Sequence, residues 1–299
     1  MSGRPHVFYS ASGELRWGWR IFFFSMLFAI LSLAVFQLTL TANTSLFLSI
    51  ALTYGSLLVA TFIMLMYVDR RPFMSVGLAL HRRLPAEFLQ GLLVGGAMMG
   101  AIFLVERLAG FASLQAPPQG TRSALLVLLS GAAWYAMGAF GEELLFRGYI
   151  FQTLIEGTNP LAGMLIMSAI FGAAHVANPN SSVLGVVNIM LAGAWLSIAY
   201  LRTRTLWLPF ALHFAWNYLE GTVFSFPVSG GVMAEYSLFR LVQRGPEWLT
   251  GGPFGPEGGA LATIVLVAGS AFLLFSQWFK RGEGVWILKQ RREHETVAA

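Results

Sequence analysis

The chain has 299 residues, of which 56% are hydrophobic and 11% charged, with a formal net charge of +5 and no cysteine. This composition excludes an ordinary water-soluble domain, and the lack of cysteine excludes disulfides, thiolate metal ligands and a cysteine nucleophile. The positive charge collects in loops and tails, so it reads as the topology signal of a membrane protein and not as a nucleic-acid footprint.

Apolar runs of the roughly 20 residues that span a hydrocarbon core about 30 Å thick recur along the sequence. About eight are predicted. They cover Trp19 to Leu40, Leu46 to Val68, Phe88 to Leu108, Ala124 into the Glu142 region, Leu161 to Ala177, Val183 to Leu201, Leu206 to Phe226, and Leu261 to Phe279. Only helices or closed barrels satisfy the backbone in lipid, and these runs lack the alternation of barrel strands, so the expected fold is an all-α polytopic bundle. Arg16 and Arg20 ahead of the first run resemble the n-region of a signal peptide, but the run is too long for a cleaved one and reads as a retained helix. Gly91, Gly95, Gly96 and Gly100 form small-xxx-small steps suited to close helix packing.

Gly157, Thr158, Asn159 and Pro160 read as a turn between the fourth and fifth helices, because Gly and Asn favour a helix end and Pro a helix start. A second turn is expected near Thr203 and Arg204. The connection from about Ser225 to Gly259 is rich in Gly and Pro, carries Trp248 and Phe254, and reads as a partly ordered cap. The chain thus divides into an N-terminal tail (1–18), a membrane-embedded domain (19–281) and a C-terminal tail (282–299).

Orientation follows from Lys and Arg in alternate loops. With the N-terminus inside, the cytoplasmic side holds Arg4, Arg16, Arg20, Arg70, Arg71, Arg82, Arg83, Arg147, Arg202, Arg204, Lys280, Arg281, Lys289, Arg291 and Arg292. The other side holds Arg107, Arg122, Arg240 and Arg244. Both termini are therefore expected in the cytoplasm.

Against this apolar background stand Glu142, Glu143, Arg147, His175, His213 and Asn217. An ionised side chain at the bilayer centre costs roughly 2.5–3.5 kcal/mol on insertion scales, so each needs a partner or a task. Glu142 and His175 each lie 16 to 17 residues from the middle of the 157–160 turn. On antiparallel helices that is a matching depth of about 24 Å. His213 and Asn217 share a helix face one turn apart, so a single pocket is expected, opening toward the cytoplasmic half. Glu143 and Arg147 form an i, i+4 pair in the favourable order and read as a brace for the helix beside Glu142.

These residues form E-E-x-x-x-R from Glu142, F-x-x-x-H from Phe171 to His175, and H-x-x-x-N from His213 to Asn217, in that order. In this the chain resembles the CPBP family of intramembrane proteases, which contains type II CAAX prenyl endopeptidases and bacterial relatives linked to bacteriocin processing or immunity. The resemblance covers about Leu125 to Tyr218. It implies an eight-helix fold, peptide hydrolysis within the membrane, and catalytic roles for Glu142, His175, His213 and Asn217.

Elimination narrows the protease class. Asp69 is the sole aspartate, so an aspartic dyad is impossible. Neither histidine begins H-E-x-x-H, and Ser130-Gly131 lacks the upstream glycine of a G-x-S-G serine site. In the expected mechanism Glu142 and His175 hold and deprotonate a water, while His213 and Asn217 donate to the oxyanion and Glu143 with Arg147 positions the helix. No cofactor is expected in this version. The alternative is zinc held by His175, His213 and a glutamate. A non-catalytic membrane partner or immunity protein would keep the same fold, and a transporter is disfavoured because no span reads as broken at its middle by Gly or Pro. The expected partners are the lipid bilayer and a membrane protein or peptide substrate, prenylated or not, with no nucleic acid. The expected location is a bacterial plasma membrane.

Overall fold

The computed structural model describes residues 7–10, 13–116 and 123–280. Its helices are α1 (Trp17–Thr41), α2 (Leu46–Ile63), α3 (Leu84–Leu108), α4 (Ala124–Arg147), α5 (Tyr149–Gly157), α6 (Pro160–Ala174), α7 (Val183–Thr203), α8 (Trp207–Tyr218), the single turn α9 (Glu247–Thr250) and α10 (Ala260–Phe275). π-helical turns at Met64–Val68 and Leu219–Val223 extend α2 and α8. Among the described residues five helical stretches are long and apolar enough to cross a membrane, at Trp17–Thr41, Leu46–Val68, Leu84–Leu108, Ala124–Gly157 and Val183–Thr203. Pro160–Ala174 and Ala260–Phe275 are apolar but shorter. The chain is a polytopic helical membrane protein.

Local chemistry sets the helix ends. Asn159 caps α6 by accepting from the Ala162 N–H at 2.9 Å, with Pro160 in the first turn, as the turn motif predicts. Ser45, Ser123 and Ser182 cap α2, α4 and α7 in the same way. Arg204 ends α7 in the left-handed conformation at φ 60°.

Two departures from the sequence reading stand out. The fourth run is not continuous, because the chain leaves helical geometry at Gly148 (ψ −128°) and restarts as α5. A Cβ at Gly148 would lie 2.1 Å from the Leu144 carbonyl oxygen, so only glycine allows this break. The fold is also not purely helical. β1 (Ala112–Gln115) pairs antiparallel with β2 (Arg240–Gln243), Ala112 facing Gln243, and ties the end of α3 to the 225–259 connection. Strands of four residues are too short to show a period-two pattern against apolar surroundings.

The two ends of the bundle differ. At one end Arg20 pairs with Asp69 at 2.6 Å and with Glu156 at 2.8 Å, and Glu156 also takes Arg71. There the Leu206 N–H donates to the Gly77 carbonyl at 2.9 Å and Arg202 donates to the Ser276 carbonyl at 2.7 Å. Burial pushes the Asp69 carboxyl above its ordinary range, against the pull of Arg20. Among the described residues this end gathers Arg16, Arg20, Arg70, Arg71, Arg82, Arg83, Arg202, Arg204 and Lys280. The opposite end holds Arg107, Arg240 and Arg244, together with the β1–β2 pair and the cap formed by the 225–259 connection. In that cap Phe254 is 1% exposed and anchors the loop, whereas Trp248 is 65% exposed. Arg4, Arg122, Arg281, Lys289, Arg291, Arg292 and the 282–299 tail lie outside the described residues.

Helix α8 is set by glycine on α3. A Cβ at Gly91 would lie 2.5 Å from the Ala211 Cβ, and one at Gly95 would lie 2.4 Å from the Leu212 carbonyl oxygen. The Gly91–Gly95 step therefore seats α3 and α8 backbone against backbone, directly beside His213, whereas the Gly96–Gly100 step does not, since a Cβ at Gly100 would meet nothing within 4 Å.

Candidate active site

Glu143 and Arg147, one turn apart near the end of α4, are both sealed from solvent, at 0% and 1% exposure. Arg147 Nη1 donates to Glu143 Oε1 at 2.9 Å, and Arg147 Nη2 donates to the Gly193 carbonyl on α7 at 2.8 Å. Its guanidinium carbon lies 4.8 Å from the Phe171 ring centroid, so α4, α6 and α7 meet around one cation. The i, i+4 contact that the spacing suggests is present, and Arg147 links it to α7.

It also does something that spacing could not reveal. Glu143 Oε1 lies 2.8 Å from His213 Nδ1. A carboxylate only accepts, so the hydrogen sits on Nδ1, and Nε2 turns toward Glu142, 3.8 Å from Oε2. Glu142 is the accessible member of the glutamate pair, its side chain 29% exposed where that of Glu143 is 1%. Adjacent helical residues point about 100° apart, which is how one glutamate faces the cavity while the other stays in the packing.

His175 is not in mid-helix. Helix α6 stops at Ala174 and His175 is its C-cap. The 15 residues of α6 rise only about 22 Å, against about 37 Å for the 25 residues of α3, so the chain after His175 turns within the bundle. His175 Nδ1 lies 2.7 Å from the Phe171 carbonyl oxygen, which fixes its hydrogen on Nδ1 and leaves Nε2 with a free lone pair.

Glu142, His175, His213 and Asn217 line one cavity of about 250 Å³. The structure thus brings together every residue of the expected catalytic set. The rest of the wall comes from Tyr54 of α2, Trp134 and Tyr135 of α4, Trp195 of α7, Trp216 of α8, and Val228, Ser229, Gly231, Met233 and Glu257 of the cap.

The expected opening toward the Arg-rich end is corrected. Cap residues form part of the wall, and the lining includes nothing from the 69–83, 148–160 or 203–207 segments of the Arg-rich end. Helix arithmetic gives depth but not which end is packed solid. Below Glu143 lie Phe146, Tyr149, Phe151, Tyr200, Leu206 and Leu208, all buried.

Glu257 went unread in the sequence. Its Oε2 accepts from the Ser229 N–H at 2.8 Å and from Ser229 Oγ at 2.5 Å, and Asn178 donates to the Ser229 carbonyl at 2.9 Å. Burial pushes its carboxyl above the ordinary range, and the Ser229 hydrogen bonds pull it back. It is one of three glutamates in that Gly- and Pro-rich connection, with Glu235 and Glu247, and no periodic signal sets it apart from the other two.

Among the described residues no three His, Cys, Asp or Glu side chains are placed to share one metal ion.

No curated protein matches the chain. Residues 123–219 match the family described as type II CAAX prenyl endopeptidase Rce1-like. That stretch runs from the Ser123 cap of α4 to the residue after α8 and contains Glu142, Glu143, Arg147, His175, His213 and Asn217. Over this stretch, about a third of the chain, the match supports the resemblance to the CPBP family of membrane proteases that the three motifs carry.

Proposed function

We propose that the chain is an intramembrane endopeptidase of a bacterial plasma membrane that hydrolyses peptide bonds of membrane-associated proteins with a glutamate-activated water. The observation that carries this reading is the convergence of Glu142, His175, His213 and Asn217 on one cavity. Glu142 and the free lone pair of His175 Nε2 are both acceptors, the pair of groups needed to hold a water by its two hydrogens and take one of them. Attack on the scissile carbonyl then places negative charge on its oxygen. The Asn217 amide donates to that oxygen, and His213 donates from Nε2 when both ring nitrogens carry hydrogen, its charge then lying between Glu143 and Glu142. The proton held by Glu142 passes to the leaving amine. Glu143 and Arg147 position His213 and the end of α4.

The aromatic wall of Tyr54, Trp134, Trp195 and Trp216 accepts apolar segments, prenylated or not. The test compares the peptides released from membranes containing the wild-type chain or Glu142→Gln. General-base contributions run to about 10²–10⁴-fold, so cleavage should vanish with Glu142→Gln while the protein still inserts and folds. Identical peptide sets would favour a non-catalytic membrane partner. Exhaustive chelation should leave cleavage intact. A purified protein that carries stoichiometric zinc, loses activity with it and regains activity on zinc addition would overturn the metal-free mechanism.

A further inference from the structure

The cavity and the charge of the molecule are polarised in opposite directions. Its wall takes Val228, Ser229, Gly231, Met233 and Glu257 from the cap and nothing from the loops of the Arg-rich end. Between the catalytic groups and that end lies a solid layer that includes Phe146, Phe151, Tyr200 and Leu208, all buried, with Arg147 fixed to Glu143 and the Gly193 carbonyl above it. A peptide has no path through this layer. The Arg-rich end, marked by Arg70, Arg71, Arg82, Arg83, Arg202 and Arg204, is the end that the distribution of Lys and Arg holds in the cytoplasm.

We infer that the active site is served from the non-cytoplasmic side, so that its substrate class is the outer-leaflet or extracytoplasmic juxtamembrane segment of membrane-anchored proteins, and not a tail in the cytoplasm. The word substrate rests on the protease reading above. The side of access does not.

Two wall features fit a chain arriving from that side. Ile50 and Tyr54 lie within the first turns of α2, close to its cap end, and together with Trp134 and Met137 of α4 they give the wall an apolar flank. Glu257, held by Ser229 in the roof, adds an acceptor where an incoming backbone N–H or basic side chain passes before it reaches Glu142.

The absence of cysteine makes the test direct, since any thiol introduced is the only one. Single variants Glu235→Cys on the exposed cap, Met233→Cys in the cavity wall and Arg82→Cys at the Arg-rich end would be expressed as the full chain in a bacterial membrane. They would then be treated with a charged, membrane-impermeant maleimide in right-side-out and inverted vesicles. Glu235→Cys and Met233→Cys should label in right-side-out vesicles and lose labelling in inverted ones, and Arg82→Cys should do the reverse. The opposite pattern, or labelling of Glu235→Cys and Arg82→Cys from one side, overturns the inference. If Met233→Cys does not fold, the two surface positions still decide the side.

A second measurement maps the bonds cleaved in a Glu142-dependent way. Cuts confined to cytoplasmic segments overturn the inference and leave the protease reading standing. No Glu142-dependent cuts at all, with labelling as expected, removes the protease and leaves the access side.

Discussion

Oε1 of Glu143 serves Arg147 and His213 at once, at 2.9 and 2.8 Å, while Glu142 beside it keeps 29% of its side chain exposed. Neutralising either member of the buried Glu143–Arg147 pair leaves the other unpaired, which costs about 3–5 kcal/mol. Glu143→Gln and Arg147→Gln should therefore each lower the unfolding temperature sharply in detergent. The double variant removes the orphan charge and should recover most of the stability. It should not recover activity, because His213 has lost the carboxylate that orients its ring. Glu142→Gln should retain full thermal stability without activity. A double variant as unstable as the worse single, or a Glu142→Gln chain that unfolds like Glu143→Gln, would refute this division of roles. The motif spacing exposed the pair and the separation of the two glutamates by rotation about the helix axis. It did not expose the bond between Glu143 and His213, because a contact between residues 70 positions apart depends on how α4 and α8 are docked.

That docking is decided on the elements. With α3 and α8 in backbone contact at Gly91 and Gly95, an added methyl at either position must push α8 away, and overpacking of this kind costs about 1–3 kcal/mol. Gly95→Ala should lower both stability and turnover, since Leu212 next to it precedes His213. Gly100→Ala meets nothing within 4 Å and should be neutral or slightly stabilising, since alanine is the better helix former by about 1 kcal/mol. Thermal unfolding of the two variants side by side checks this, and equal losses would mean the small residues do not set the contact. The apolar runs and glycine steps made these helices legible beforehand, and the Asn159-Pro160 and Arg204 ends fell where turn chemistry places them. The Gly148 break did not show, because a single glycine in a helical run is ordinarily tolerated and only its ψ marks the exit. Nor did the early stop of α6, since Val176 and Ala177 continue the apolar pattern past the point where the backbone turns.

For the whole molecule, the ionic clamp at the Arg-rich end and the cavity under the cap are separate structures sharing a bundle. Asp69→Asn removes one partner of Arg20, but Glu156 remains at 2.8 Å, so the loss should be that of one charged hydrogen bond, about 1.5–3 kcal/mol. Activity per folded molecule should be unchanged, and the stability loss should add to that of Gly95→Ala, because distant sites without shared partners behave independently. A drop in turnover with Asp69→Asn in a folded chain would show the two ends to be coupled. The same separation runs along the sequence. Every residue proposed to act on the peptide bond lies within 123–219, whereas the roof residues Val228, Ser229, Met233 and Glu257 lie beyond it. The proposed catalytic groups and the roof over them are thus written in different stretches of one polypeptide. Grafting a foreign connection between α8 and α10 would then change what this chain digests while leaving how it digests untouched, as a tool keeps its motor when its bit is exchanged.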